Sequence, residues 1–185
     1  WSAKVPCGDP GTWGPEIWNK IIKDYNIESV VDIGCGLGAS ASYFAKKDLY
    51  VVGVEGGRNA INNSMFEGHI ILNDYTASSA LEDEEFDLVW CCEFVQHVEE
   101  KFVDNFLHDF QRAKYIAMTY DGTESPHYRV NVRSKGYWIE QLSRIRFELN
   151  EEYSNSLRSL AESTKWREPF PHGCHLTNLL FFERS

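Results

Sequence analysis

The chain has 185 residues, 43% of them hydrophobic, and its 18 basic and 28 acidic side chains give a formal net charge of −10. That length and apolar content suffice for the core of one domain, so a second is not required. The acidic balance argues against a long phosphate-tracking surface and so against nucleic acid as a partner. The nearest basic grouping, Arg129, Arg133 and Lys135, could steer one anionic small molecule or simply form a solvated loop.

In chain order, Ile17, Trp18, Ile21, Ile22 and Tyr25 fall near one helical stripe and predict a helix over 15–26, with Trp13 ahead of it as a core or ligand contact. An apolar run then reaches Asp32 and opens into glycines at alternating positions, Gly34, Gly36 and Gly38, before a helix over 39–47. A strand over 49–54 ends on Glu55, and strands follow near 69–72, 86–92 and 115–119. Phe102, Phe106 and Phe110 recur every four residues and predict a helix over 101–112, with the aromatic stripe as core. Beyond the polar, turn-rich stretch 121–131, a helix over 135–146 precedes strands over 147–150 and 177–183. About 26 residues separate those two strands where a short hairpin would suffice, so an insertion is expected there. It reads as a helix over 154–163 and an aromatic, proline-containing loop over 166–175, which either covers a site, makes subunit contacts or caps the sheet. Alternation of strands and helices implies a parallel sheet with right-handed crossovers.

The glycines let the backbone turn sharply and approach a ligand, and the helix after them starts with free N–H groups. Glu55 follows the first glycines by roughly the 20 residues at which a ribose-hydroxyl acceptor stands in the βαβ fingerprint. The loop alone fits a dinucleotide or S-adenosylmethionine. Asp32 shifts the balance, because a carboxylate there repels a pyrophosphate and complements the ammonium of a methionyl group.

From Val30-Val31-Asp32-Ile33-Gly34-Cys35-Gly36-Leu37-Gly38 onward, the chain resembles the class I S-adenosylmethionine-dependent methyltransferases. The likeness runs through Glu55, Asn73-Asp74-Tyr75, and Glu84 to Val98 with its Glu93-x-x-x-His97-Val98, and covers roughly 13–182 in order of elements. The best match is the small-molecule branch. The resemblance implies an α/β, Rossmann-like three-layer sandwich whose seven-stranded, mostly parallel sheet has an antiparallel last strand. It also implies one domain over 1–185, with the helical and aromatic insertion at about 151–176.

It implies, further, that Asp32, Gly34, Cys35, Gly36 and Gly38 surround the methionyl part of S-adenosylmethionine, and that Glu55 beside Gly56 takes the ribose. Asp74 would meet the adenine amino group and Tyr75 would stack on or line the base, with Cys92 and Glu93 at the end of the fourth strand. Glu93 touches the cofactor, orients the acceptor or is a solvated carboxylate. The implied reaction is in-line transfer of a methyl group to an oxygen or nitrogen of a small molecule, yielding S-adenosylhomocysteine. The protein then aligns the reactants, excludes water and takes the acceptor's proton. His97 is a candidate general base or a structural hydrogen-bonding residue, and His127 an acceptor-site or loop-stabilising residue. Relatives carry a His- and Asn-containing stretch before a Tyr-Trp helix, which His127, Asn131, Tyr137 and Trp138 match in type. Arg129 and Arg133 depart from it, standing where a His and an amide are expected.

Two other functions compete. A nicotinamide-dependent oxidoreductase suffers from Asp32, from the lack of chain for a substrate domain and from the absence of a Tyr-x-x-x-Lys pair. A non-catalytic S-adenosylmethionine-binding partner subunit would keep the same cofactor residues. After the fourth strand stands Cys92-Glu93-Phe94-Val95 rather than the Asn/Asp-Pro-Pro-Tyr/Phe motif of enzymes that methylate bases or glutamine.

The five cysteines are odd in number and irregularly spaced, which predicts reduced thiols, with Cys91 and Cys92 on opposite strand faces. His172, Cys174 and His175 crowd within four residues and lack the separated pairs of a zinc site even with Cys7 added, so no metal is expected. The acidic run 82–85 reads as a solvated turn, and the Asn62-Asn63-Ser64 sequon matters only in a secreted protein. With no long apolar stretch and no signal-like start, the expected compartment is the cytoplasm and no membrane association is expected, while the opening Trp1 in place of Met predicts a missing N-terminus. Oligomer contacts, if made, fall to the insertion.

Overall fold

A computed structural model describes residues 10–122, 129–164 and 174–185. Helix α1 (Pro15–Tyr25) starts with proline at its first position and stops at Asn26, whose left-handed conformation (φ 49°) turns the chain into β1 (Ser29–Ile33). The glycine loop leads to α2 (Ala39–Ala45), then β2 (Tyr50–Glu55), a short α3 (Arg58–Asn62), β3 (His69–Leu72) and β4 (Phe86–Cys91). Helix α4 (Val103–Phe110), β5 (Ala113–Thr119), α5 (Lys135–Arg144), β6 (Phe147–Leu149), α6 (Glu151–Thr164) and β7 (Leu179–Arg184) complete the order.

The seven strands form one sheet in the order β3-β2-β1-β4-β5-β7-β6, with β7 antiparallel to both neighbours and every other pairing parallel. The expected sandwich is therefore present. Strand alternation divides the core between the two faces. Val31, Ile33, Val89, Cys91 and Met118 pack with Phe106 and Phe110 of α4 and Trp138 of α5. Val30, Leu88, Trp90 and Ala117 pack with Trp18 of α1, Phe44 of α2 and Leu157 of α6. Cys91 is buried in the first set, while Cys92 packs against the second, as the alternation predicts.

Several boundaries differ from the sequence reading. The helix expected over 101–112 opens on a 3-10 turn, Glu100–Phe102, before α4, and a separate 3-10 turn, Val95–His97, precedes it. Strand β5 begins at Ala113, two residues early. Helix α6 starts directly after β6 because Asn150 Oδ1 accepts the Tyr153 N–H at 2.8 Å, a side-chain cap that a hydrophobic stripe does not reveal. Its Leu157 and Ala161 are fully buried against α1 and the sheet, so this part of the insertion caps the sheet. The loop over 166–173 lies outside the described residues.

Candidate functional site

Strand order reverses direction between β1 and β4, and open α/β sheets hold ligands beyond the carboxyl ends of strands at such a point. A cavity of about 530 Å³ lies there, within the range that encloses a small ligand. Asp32, Gly34, Cys35 and Gly36 reach it from the end of β1, Glu55 from β2, Cys92, Glu93 and His97 from beyond β4, Arg129 from beyond β5 and His175 from ahead of β7.

The glycine loop is fastened at both ends. Gly34 and Cys35 donate their N–H groups to the Val54 carbonyl at 2.9 and 3.1 Å, and Gly38 donates to the Cys35 carbonyl at 2.8 Å. Gly34 sits at φ 75°, and a Cβ there would come within 2.6 to 2.9 Å of the Phe94 ring and its Cβ. Gly36, at φ 55°, has nothing within 4 Å of its Cβ position. Gly34→Ala is therefore expected to lose about 2–4 kcal/mol of stability, from left-handed strain and overpacking together, whereas Gly36→Ala loses about 1 kcal/mol. Urea denaturation of the two variants checks the contrast, and equal losses would remove the Phe94 contact as its cause.

Asp32 is only 2% exposed. Its Oδ2 accepts the Ser40 hydroxyl at 2.5 Å, and among the described residues no cation pairs with it. Burial pushes its carboxyl up to about 7, against the hydrogen bonds from Ser40 and the Ala41 backbone, and the nearby Glu55 charge adds to the rise. Glu55 accepts the N–H groups of Gly36 at 2.9 Å and Gly57 at 2.7 Å, so the candidate ribose acid also braces the loop. Burial, with the charges of Asp32 and Glu55, pushes the Cys35 thiol far above its ordinary value and leaves it inert as a nucleophile.

Glu93 is held in the left-handed region at φ 54°, with its N–H donated to Thr119 Oγ1 at 2.8 Å and its Oε2 accepting from Gln96 Nε2 at 3.0 Å. Its Oε2 also lies 4.0 Å from Arg129 and 3.9 Å from His175 Nδ1. Arg129 is paired with Asp121 as well. Among the described lining residues, Asp32, Glu55 and Glu93 are set against one guanidinium that is itself compensated, so this lining favours a cationic ligand.

Asp32, Gly34, Cys35, Gly36, Glu55, Cys92, Glu93 and His97 thus meet around one cavity, and Gly38, Gly56, Asp74 and Tyr75 do not line it. Gly38 caps α2 at φ 73°, and Gly56 lies against the Asn73 carbonyl. Asp74 is exposed and turns its carboxylate back on its own turn, where bonds from the Thr76 N–H and hydroxyl, both 2.8 Å, hold it below its ordinary value. Tyr75, expected to stack on or line the base, does not turn its ring to this cavity. It is 4% exposed, packs on Phe94 and Phe106, and donates its hydroxyl to Asp109 at 2.7 Å on the far side of the wall. His127, His172 and Cys7 lie outside the described residues. Among the described residues, no group of three His, Cys, Asp or Glu side chains is placed to hold a metal ion.

Sequence reasoning missed Ser40, Asn59, Phe94 and His175 as cavity residues. Ser40, one helical position past Ala39, carried a signal as a hydroxyl within reach of Asp32. His175 carried none, because only the crossing of β7 beside β5 brings it to Glu93.

Residues 31–113 match the family model described as a methyltransferase domain. No curated protein sequence matches the chain. Among solved structures, the magnesium protoporphyrin IX methyltransferase ChlM of Synechocystis PCC 6803, with S-adenosylhomocysteine bound, superposes with a TM-score of 0.65 at 14% identity, over 92% of this chain and 81% of that one. A TehB-like S-adenosylmethionine-dependent methyltransferase of Corynebacterium glutamicum ATCC 13032 gives 0.65 at 18% identity, over 92% and 86%. The [4+2]-cyclase SpnF gives 0.62 at 13% identity, over 92% and 80%, so this architecture also serves an enzyme named for another reaction.

Proposed function

We propose that this chain, whose residues 31–113 match a methyltransferase domain, is a Rossmann-like S-adenosylmethionine-dependent methyltransferase that moves the methyl group to an oxygen or nitrogen of a small molecule. The observation that carries the cofactor half is Asp32, a buried carboxylate in the cavity wall with no countercharge among the described residues. The chain's own groups fit the cofactor. Asp32 with the Gly34–Gly36 backbone would hold the cationic methionyl end, and Glu55 the ribose hydroxyls. When bound, the group supplies an electrophilic methyl carbon on a positively charged sulfur. The chain's part is to orient the acceptor, exclude water and hold the departing proton.

A small acceptor is supported by the acidic side chains that line the cavity and by the −10 net charge, which disfavours nucleic acid. No described helix is long and apolar enough to cross a membrane. The buried thiols of Cys35 and Cys91 are not in disulfides, which supports a reducing compartment such as the cytoplasm.

Calorimetric titration with S-adenosylmethionine, S-adenosylhomocysteine and NAD tests the reading. Selective binding of the first two, weakened in an Asp32→Ala, Glu55→Ala double variant, is the expected result. Binding of NAD alone would replace methyl transfer with hydride transfer, and turnover that appears only with an added partner would favour the regulatory subunit.

A further inference from the structure

The geometry points to His175 as the base that takes the acceptor's proton, with Glu93 as the residue that positions it, an assignment that rests on the methyl-transfer reading above. Three chain segments far apart in sequence converge on the Glu93 carboxylate: the end of β4 that carries it, Arg129 beyond β5, and His175 ahead of β7. The carboxylate is fixed before any ligand arrives. Thr119, fully buried at the end of β5, accepts the Glu93 N–H at 2.8 Å and donates its hydroxyl to Oε1 at 3.2 Å, while Gln96 Nε2 holds Oε2 at 3.0 Å. A non-glycine residue at φ 54° costs about 1–2 kcal/mol, and such strain is kept where surrounding contacts over-determine it, most often at functional sites.

The Glu93 and His175 side chains are 19% and 33% exposed, so the pair is partly desolvated but open to the cavity that both line. Glu93 Oε2 stands 3.9 Å from Nδ1, which favours the tautomer with the proton on Nδ1 and makes Nε2 the basic nitrogen. Catalytic contacts of this kind are often long in an empty site and shorten as it fills.

The transfer then balances. The acceptor's heteroatom gives its proton to His175 Nε2 and uses its electron pair to bond the methyl carbon, while the pair of the broken methyl–sulfur bond stays on sulfur. The positive charge lost from sulfur ends on the imidazolium beside Glu93. Among the described residues, the other charged groups that line the cavity with the ring are Arg129, which opposes that charge but is paired with Asp121, and Asp32 and Glu55, with His97 as a further titratable imidazole. We therefore assign the base to His175 rather than to His97, the other described histidine that lines the cavity.

The test does not need the acceptor. Long-range proton–nitrogen NMR of the ¹⁵N-labelled chain, with and without S-adenosylhomocysteine, reads the tautomer and titration of each histidine, and His175→Gln assigns the resonance. The expected result is an Nδ1–H tautomer at high pH and a His175 midpoint that falls by about one pH unit in Glu93→Gln. An Nε2–H tautomer of His175 in the unsubstituted chain overturns the assignment, as does a midpoint that Glu93→Gln leaves in place. Calorimetry on the same samples separates the two claims: failure of S-adenosylhomocysteine to bind overturns the methyl-transfer reading, whereas the tautomer and midpoint judge the pair in the unliganded chain.

Discussion

Asp32→Asn is expected to weaken S-adenosylmethionine binding by about 10- to 100-fold at pH 8 and, in the same variant, to raise the melting temperature of the empty chain. The first effect is the loss of a charge-assisted contact to the methionyl ammonium, worth about 1.5–3 kcal/mol. The second follows from linkage. In the folded, empty chain the Asp32 carboxyl titrates at about 7, above its ordinary 3.8, because burial disfavours its charge. A raised folded value contributes stability that is fully present below the unfolded value and is lost as pH rises through the folded one. At pH 8 the ionised group therefore destabilises the empty chain by on the order of 4 kcal/mol, which an amide of the same shape does not incur. A cation in the cavity reverses the balance by favouring the carboxylate.

The wild-type affinity should consequently fall by about tenfold per pH unit below 7, because binding must first remove the Asp32 proton, and the Asn variant should lack this component. Titrations between about pH 5.5 and 8.5, paired with thermal melts of the empty protein, read both effects. An Asn variant that binds as tightly as the parent would take Asp32 out of cofactor recognition. One that melts lower would mean that the Ser40 and Ala41 hydrogen bonds outweigh the cost of the buried charge.

How much of this was legible in the sequence depends on how local its causes are. The β1–loop–α2 unit was legible because Val30, Val31 and Ile33 are apolar where both faces are covered, and because the glycines stand where the chain must turn under Phe94. Helix α3 was not, since none of its five residues is buried and it leaves no stripe to read. The burial of Tyr75 was not legible either, because a tyrosine after an acidic turn suits a base-contacting role by type, and only the three-dimensional position of Asp109, 34 residues later, shows where the hydroxyl goes. The Glu93–Arg129–His175 convergence was hidden for the same reason. Arg129 read as a departure from a pattern and His175 as a failed metal ligand, and sheet topology alone gives them a common partner.

Asp109 carries the largest stability effect expected outside the cavity. It lies on α4, has no exposed surface, and accepts three hydrogen bonds from the connection that follows β3: the Tyr75 hydroxyl at 2.7 Å, the Ala80 N–H at 2.8 Å and the Leu81 N–H at 3.1 Å. His108 Nδ1 is a further neighbour at 3.3 Å. Burial, with the Asp109 charge, pushes the Tyr75 hydroxyl well above its ordinary value, so it stays protonated and remains a donor throughout the working pH range. Asp109→Ala leaves these donors without their acceptor in a dry interior and should cost about 3–5 kcal/mol in urea denaturation. Tyr75→Phe removes one donor and leaves the carboxylate its two backbone partners, so its loss should stay near 1–2 kcal/mol.

The consequence reaches the site, because Tyr75 meets Phe94 edge-on at 5.4 Å and Phe94 covers Gly34 and lines the cavity. Asp109→Ala should therefore also weaken S-adenosylhomocysteine binding, while Tyr75→Phe, which keeps the ring in place, should bind nearly as the parent does. If Asp109→Ala destabilises the chain yet binds S-adenosylhomocysteine unchanged, the Tyr75–Phe94 wall does not transmit packing to the loop. If both variants cost the same, the hydroxyl bond dominates and the backbone bonds to Ala80 and Leu81 contribute little.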